Sequence, residues 1–132
     1  MSPDEYLAKA RRALASARLL LADGDLDGAC NRAYYAMFDA AQAALLRAEP
    51  GRNPAATKTH SGLIAAFGRY LVKPGLLPSD LGRALNQVER VRLLADYTGE
   101  VNDELKVRWA IDQAIAFVEA IERGVPSEAG RP

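Results

Sequence analysis

The stretch Asn31-Arg32-Ala33-Tyr34-Tyr35-Ala36-Met37-Phe38-Asp39-Ala40-Ala41 decides the fold, because its apolar side chains repeat with the period of an α-helix. Leu26, Cys30, Ala33, Met37 and Ala41 recur at intervals of three or four, and Tyr34, Phe38 and Leu45 widen the stripe. This pattern predicts a helix from about Leu26 to Arg47 at the centre of a small bundle. Tyr34 and Tyr35 cannot share the middle of one face, since consecutive helical residues are offset by about 100°. One tyrosine is expected in the bundle core and the other at a second subunit or a polar cleft. Ordinary packing with the hydroxyls in water accounts for the pair equally well.

Upstream, Ser2-Pro3-Asp4-Glu5 has the form of a helix start, with Ser2 as the cap, Pro3 in the first turn and Glu5 three residues after the cap. A helix to about Ala22 follows, with Tyr6, Ala10, Ala13, Ala17, Leu20 and Leu21 on its apolar side. Gly24 suits a left-handed turn and Asp25 the next cap, so the first two helices should be antiparallel neighbours. Downstream, Glu49 to Pro54 reads as a loop. A third helix, entered through Thr57 to Gly62, carries Leu63, Ile64, Phe67, Tyr70 and Leu71 and stops at Lys73-Pro74-Gly75. Ser79 is expected to cap a fourth helix that Thr98-Gly99 closes. A fifth starts at Asn102-Asp103-Glu104 and buries Val107, Ile111, Ala114, Ile115, Val118 and Ile121 before Gly124 and Pro126. The fold class is therefore all-α, an up-and-down bundle of about five helices over residues 1–124, with a disordered tail at 125–132.

Composition narrows the function. The 132 residues make one domain, and 17 basic residues balanced by 17 acidic ones argue against strong nonspecific binding to nucleic acid. A local basic cleft remains compatible with that balance. The lone Cys30 on an apolar face reads as a buried thiol. With no secretion leader and no apolar run of membrane-spanning length, a cytoplasmic location is expected. One His, one Cys and no paired-ligand motif predict no metal site, and the scattered glycines form no phosphate-cradling loop. No cofactor is expected.

Arg92 is the residue out of place. Leu81, Leu85, Val88, Arg92 and Ala95 follow at intervals of four, three, four and three, which turns an arginine toward the core. An inward guanidinium needs a carboxylate or an anionic ligand. Asp96 one turn later, or Asp39 on the second helix, can supply the carboxylate. Asn31, Tyr35 and Asp39, each four residues apart, form a polar ridge. Were that ridge to face Arg92, the result would be an arginine framed by a carboxylate, an amide and phenols. Such a site binds phosphate or stabilises charge developing at phosphorus during RNA cleavage. A purely structural ion pair within a tyrosine network explains the same residues. His60, at the start of the third helix, is either a helix-start residue or a general acid or base.

Three segments carry a family resemblance: NRAYYAMFDAAQAALL from Asn31, KTHSGLIAAFGRYL from Lys58, and Arg92-Leu93-Leu94-Ala95-Asp96-Tyr97. In order and spacing they resemble the small stand-alone HEPN-domain proteins of prokaryotes, over about residues 4 to 122. The resemblance implies a helical bundle that pairs into a homodimer and acts with a minimal nucleotidyltransferase. In well-understood members the HEPN protein is a metal-independent ribonuclease toxin and the nucleotidyltransferase its antitoxin. Their motif is an arginine followed, after four to six residues, by a histidine, and two subunits join their motifs in one cleft.

This sequence departs from that motif. From Arg92 the histidine position falls on Tyr97, Thr98 or Gly99, and from Arg90 on Ala95, Asp96 or Tyr97. The resemblance thus implies a homodimeric toxin–antitoxin type component that binds RNA or a nucleotide and cleaves RNA weakly or not at all. Arg92, Asp96, Tyr97 and His60 are its candidate catalytic residues, and Asn31, Tyr34, Tyr35 and Asp39 its candidate binding residues. The alternative is an active ribonuclease using Arg92 with a nonstandard acid-base group such as His60 or Tyr97. The resemblance also implies that Tyr97, two residues beyond a motif position at Ala95, is where the partner enzyme attaches a nucleotide.

Overall fold

Ser2 caps the first helix, α1 (Pro3–Ala22), by accepting the Glu5 amide at 3.1 Å while the Glu5 carboxylate takes the Ser2 amide at 3.2 Å. In this computed structural model the described residues are 1–53, 57–98 and 103–124, with the backbone alone described at 95–98. Gly24 turns the chain at φ +84°, and Asp25 caps α2 (Leu26–Ala48) by accepting the Gly28 amide at 2.9 Å. Thr59 caps α3 (His60–Phe67) through the Gly62 amide at 3.0 Å. Then follow α4 (Ser79–Thr98) and α5 (Glu104–Glu122), the latter capped by Asp103 on the Lys106 amide at 2.8 Å. No strand occurs among the described residues.

The broad apolar stripe of α2 has the expected consequence: α1, α3, α4 and α5 all pack against it. Ala29, Ala33, Ala36, Ala40, Ala43 and Ala44 are fully buried, and side chains this small let neighbouring backbones approach closely. Tyr34, Met37 and Leu45 fill the remaining space, and Cys30 is a buried thiol. Phe67 of α3 meets Phe117 of α5 with ring centroids 5.4 Å apart. Charged groups clamp the bundle edge, where Arg11 of α1 pairs with Glu122 of α5. Arg47 of α2 reaches both Asp4, at 3.1 Å, and the Ile121 carbonyl, at 3.2 Å.

Several local expectations shift. On α1 the core takes Leu7 and Leu14, while Tyr6 is half-buried beside it. On α5 Ala110 and Phe117 join the core and Ile115 moves to its margin. The third helix changes pitch after Phe67 into a π-helical turn, Gly68–Val72, whose closing bond runs from the Lys73 amide to the Gly68 carbonyl at 2.8 Å. Ser79 is the first residue of α4, and the Leu81 amide bonds the Pro78 carbonyl at 3.1 Å. Pro54, Gly99, Asn102, Pro126 and the expected tail at 125–132 lie outside the described residues.

Truncating the core is expected to be costly. Leu85→Ala removes a fully buried side chain and should cost about 2–5 kcal/mol. Leu19→Ala, at a site 72% exposed, should change stability by less than about 0.5 kcal/mol. Urea denaturation of both variants checks the contrast.

Candidate functional site

Arg92 points into the bundle, as its interval on α4 predicts, and is 8% exposed. Glu89, one turn earlier on α4 and 7% exposed, closes on it with both carboxylate oxygens, Nε to Oε2 at 3.0 Å and an Nη to Oε1 at 3.1 Å. The guanidinium carbon sits 4.9 Å from the centre of the Tyr34 ring, so Arg92 also lies on an aromatic face of α2. Burial pushes the Tyr34 phenol pKa well up, and the negative charge and hydrogen bonding of Glu89 add to this while Arg92 opposes it. The phenol therefore keeps its proton.

His60 completes this assembly from α3. Its Nδ1 lies 3.0 Å from the Tyr34 hydroxyl, in a hydrogen bond whose direction follows the imidazole tautomer. Two contacts place it there. The Thr59 cap fixes His60 in the first turn of α3. Gln42 of α2 then pins the preceding chain, its Nε2 donating to the Thr57 carbonyl at 2.9 Å and its Oε1 accepting the Thr57 hydroxyl at 3.0 Å. The imidazole is ringed by aromatics, with centroids at 5.3 Å to Tyr34, 5.8 Å to Tyr35 and 5.4 Å to Phe38.

Tyr35 serves a different surface. It lines a cleft of about 490 Å³ between α1 and α2, to which α1 contributes Lys9, Arg12 and Ser16 and α2 contributes Arg32, Tyr35 and Asp39. The Arg32 guanidinium lies 5.1 Å from the centre of the Tyr35 ring. Asp39 is buried, and desolvation raises its carboxyl pKa above the ordinary value although Lys9, Arg32 and Arg12 pull it back.

The polar ridge is thus divided from Arg92. Tyr35 and Asp39 face α1 and its cations rather than α4, and Asn31 lies half-buried one turn before Tyr35. Arg92, Tyr34 and His60 come together, while the side chains of Asp96 and Tyr97 lie outside the described residues. Sequence reasoning missed Glu89, although a carboxylate three residues before Arg92 on one helix was a signal for the pair. It also missed Gln42, whose signal was an amide between Ala41 and Ala43 on a nearly all-apolar helix. Lys9, Arg12 and Arg32 carry no joint signal in the sequence, since only the approach of α1 to α2 brings them to one cleft. Among the described residues no cluster of three or more His, Cys, Asp or Glu side chains is placed to hold a metal ion. Among the same residues no helix is long and apolar enough to cross a membrane.

Comparison with known proteins agrees with the arrangement of helices. The HEPN domain family matches residues 4–124. A UPF0332 protein of Gloeobacter violaceus is 38% identical over 101 residues, covering 75% of this chain and 76% of the relative. A UPF0332 protein of Thermotoga maritima is 37% identical over 116 residues, covering 87% and 84%. A protein of Methanocaldococcus jannaschii that bears the name "Putative toxin MJ0605" is 34% identical over 112 residues, covering 85% and 80%.

The two buried acids give separable predictions. Arg92→Ala leaves Glu89 buried without its counter-charge and should cost about 3–5 kcal/mol, whereas the double variant Glu89→Gln/Arg92→Gln removes both charges and should cost far less. Denaturant titration of the two variants measures the difference. For Asp39 the folded pKa lies above the unfolded one. Its contribution is therefore intact below the unfolded pKa of about 4 and is lost as pH rises through the folded value. Asp39→Asn should accordingly gain stability relative to the parent as pH rises from about 4 toward neutrality, and paired thermal melts across that range test the sign.

Proposed function

We propose that this chain, which belongs to the HEPN-domain family, is a toxin–antitoxin type component that binds RNA or a nucleotide and cleaves RNA weakly or not at all. In this reading it works in the cytoplasm as a homodimer together with a minimal nucleotidyltransferase. The observation that carries it is the state of Arg92, which is buried, held by both oxygens of Glu89 and set on the Tyr34 ring. A phosphate reaching Arg92 has to compete with a carboxylate already in place. The histidine that would move a proton is missing from both motif registers, and general acid-base help is typically worth about 10²–10⁴ in rate. An arginine without that help favours anion recognition over bond breaking. The name carried by the Methanocaldococcus relative supports the toxin-type assignment.

One contact favours the alternative, a metal-independent ribonuclease with a nonstandard proton-moving group. The Tyr34 hydroxyl joins His60 to the ring on which Arg92 rests, so an imidazole stands one side chain away from the guanidinium. Release of Arg92 from Glu89 would leave a cation and an acid-base group on either side of one phenol.

Incubation of labelled single-stranded RNA and tRNA with the purified protein in EDTA separates the two. The expected result is retention of RNA without Arg92-dependent products, with retention lost in Glu89→Gln/Arg92→Gln. Cleavage that disappears in both that variant and His60→Ala would replace the binding reading with the ribonuclease one. Light scattering should report a dimer, and a monomer at micromolar concentration would remove the composite cleft. Incubation with the cognate nucleotidyltransferase and ATP should add a nucleotide that Tyr97→Phe abolishes.

A further inference from the structure

Two ridges meet across the α1–α2 cleft with the same spacing. Lys9, Arg12 and Ser16 on α1, and Arg32, Tyr35 and Asp39 on α2, each follow the three-then-four interval that aligns side chains along one helix face. The cleft thereby gathers three cations around one carboxylate. Lys9 and Arg12 are exposed and form no salt bridge or hydrogen bond among the described residues, so they are not committed to a structural partner. Asp39 is more unusual. It is 7% exposed, lines the cleft and has no hydrogen-bond partner among the described residues. Its oxygens are nevertheless not among the fully enclosed, unsatisfied atoms, so the carboxyl keeps an opening into the cleft. A buried carboxyl in that condition normally has a partner.

We propose that the α1–α2 cleft is a binding site for a small phosphomonoester, with the phosphate held by Lys9, Arg12 and Arg32 and a hydroxyl or amine of the ligand donating to Asp39. A volume of about 490 Å³ lies within the range of roughly 300–1,000 Å³ usual for small-molecule sites. Three cations against one carboxylate leave a surplus of two positive charges, which matches a phosphate dianion. Arg32 is held over the Tyr35 ring, so its fork is already oriented when the anion arrives. Tyr35 and Phe38 provide an aromatic wall against which the carbon skeleton of the ligand can lie. The inference goes beyond the reading above, because its cations come largely from α1 and its occupancy requires neither Arg92 nor a second subunit.

Isothermal titration of the full chain with ribose 5-phosphate and with methyl phosphate, at low salt, tests it. Ribose 5-phosphate should bind saturably at one site per chain, and added salt should weaken it. Lys9→Ala and Arg12→Ala, both exposed and harmless to the fold, should each weaken binding about tenfold or more. Arg18→Ala, on α1 but lining a different cleft with Arg108, should bind like the parent. The parent should prefer ribose 5-phosphate over methyl phosphate, which offers no donor, and Asp39→Ala should abolish that preference. Absence of saturation at millimolar ligand, or unchanged binding by a Lys9→Ala/Arg12→Ala double variant with a native circular dichroism spectrum, would overturn the proposal. Competition by a 5′-hydroxyl RNA as effective as that by ribose 5-phosphate would also overturn it, by assigning the cleft to internal phosphodiesters. Failure here would leave the Arg92 reading standing, since that is measured on RNA with the Glu89/Arg92 double variant.

Discussion

Everything in this bundle is arranged around the need to cover α2 on nearly every side. Its alanines offer little area individually, so burial becomes worthwhile only when several helices approach closely enough to exclude water from all of them. That constraint sets the positions of α1, α3, α4 and α5 around it. It also explains why polar groups on α2 are consequential. Enclosed in this way, the amide of Gln42 meets Thr57 in the chain before α3 and the phenol of Tyr34 meets His60, whereas the carboxyl of Asp39 lines the cleft beside α1.

The adjacent tyrosines turn this enclosure into two chemical environments. Tyr34 faces inward, where its ring carries Arg92 and its hydroxyl meets His60. Tyr35, one step around the helix, opens onto the cationic cleft beside α1. Their rings still touch edge to face, with centroids 5.6 Å apart, and both lie against the imidazole of His60. The two environments are therefore mechanically adjacent although their charges are separate: a Glu89–Arg92 pair on one side, and three cations with a buried acid on the other.

This division bears on the chemistry open to a HEPN protein lacking the motif histidine. Arg92 is buried, and Glu89 balances its charge at short range in a dry setting. A buried pair of this kind contributes little net stability compared with an apolar packing, while loss of one partner alone is costly. Lys9 and Arg12, exposed and outside any salt bridge among the described residues, instead line the cleft beside α1 together with Arg32.

The sequence by itself determined the all-α fold, the inward course of Arg92, the split duties of Tyr34 and Tyr35, and the caps at Ser2, Asp25 and Asp103. Each is a matter of helical period or of backbone groups within one turn, which local order along the chain specifies. Tertiary structure alone decided that the Tyr35–Asp39 ridge faces α1 rather than Arg92, and that His60 reaches Tyr34. It likewise decided that Lys9 and Arg12 share a cleft with Asp39. The physical reason is that periodicity tells which residues share a face but not which neighbour covers it. The latter depends on the rotation and crossing of packed helices, set by the summed shape of many small side chains. Glu89 falls between the two cases: its place beside Arg92 was written in a three-residue interval, but only burial of both side chains made the pair matter.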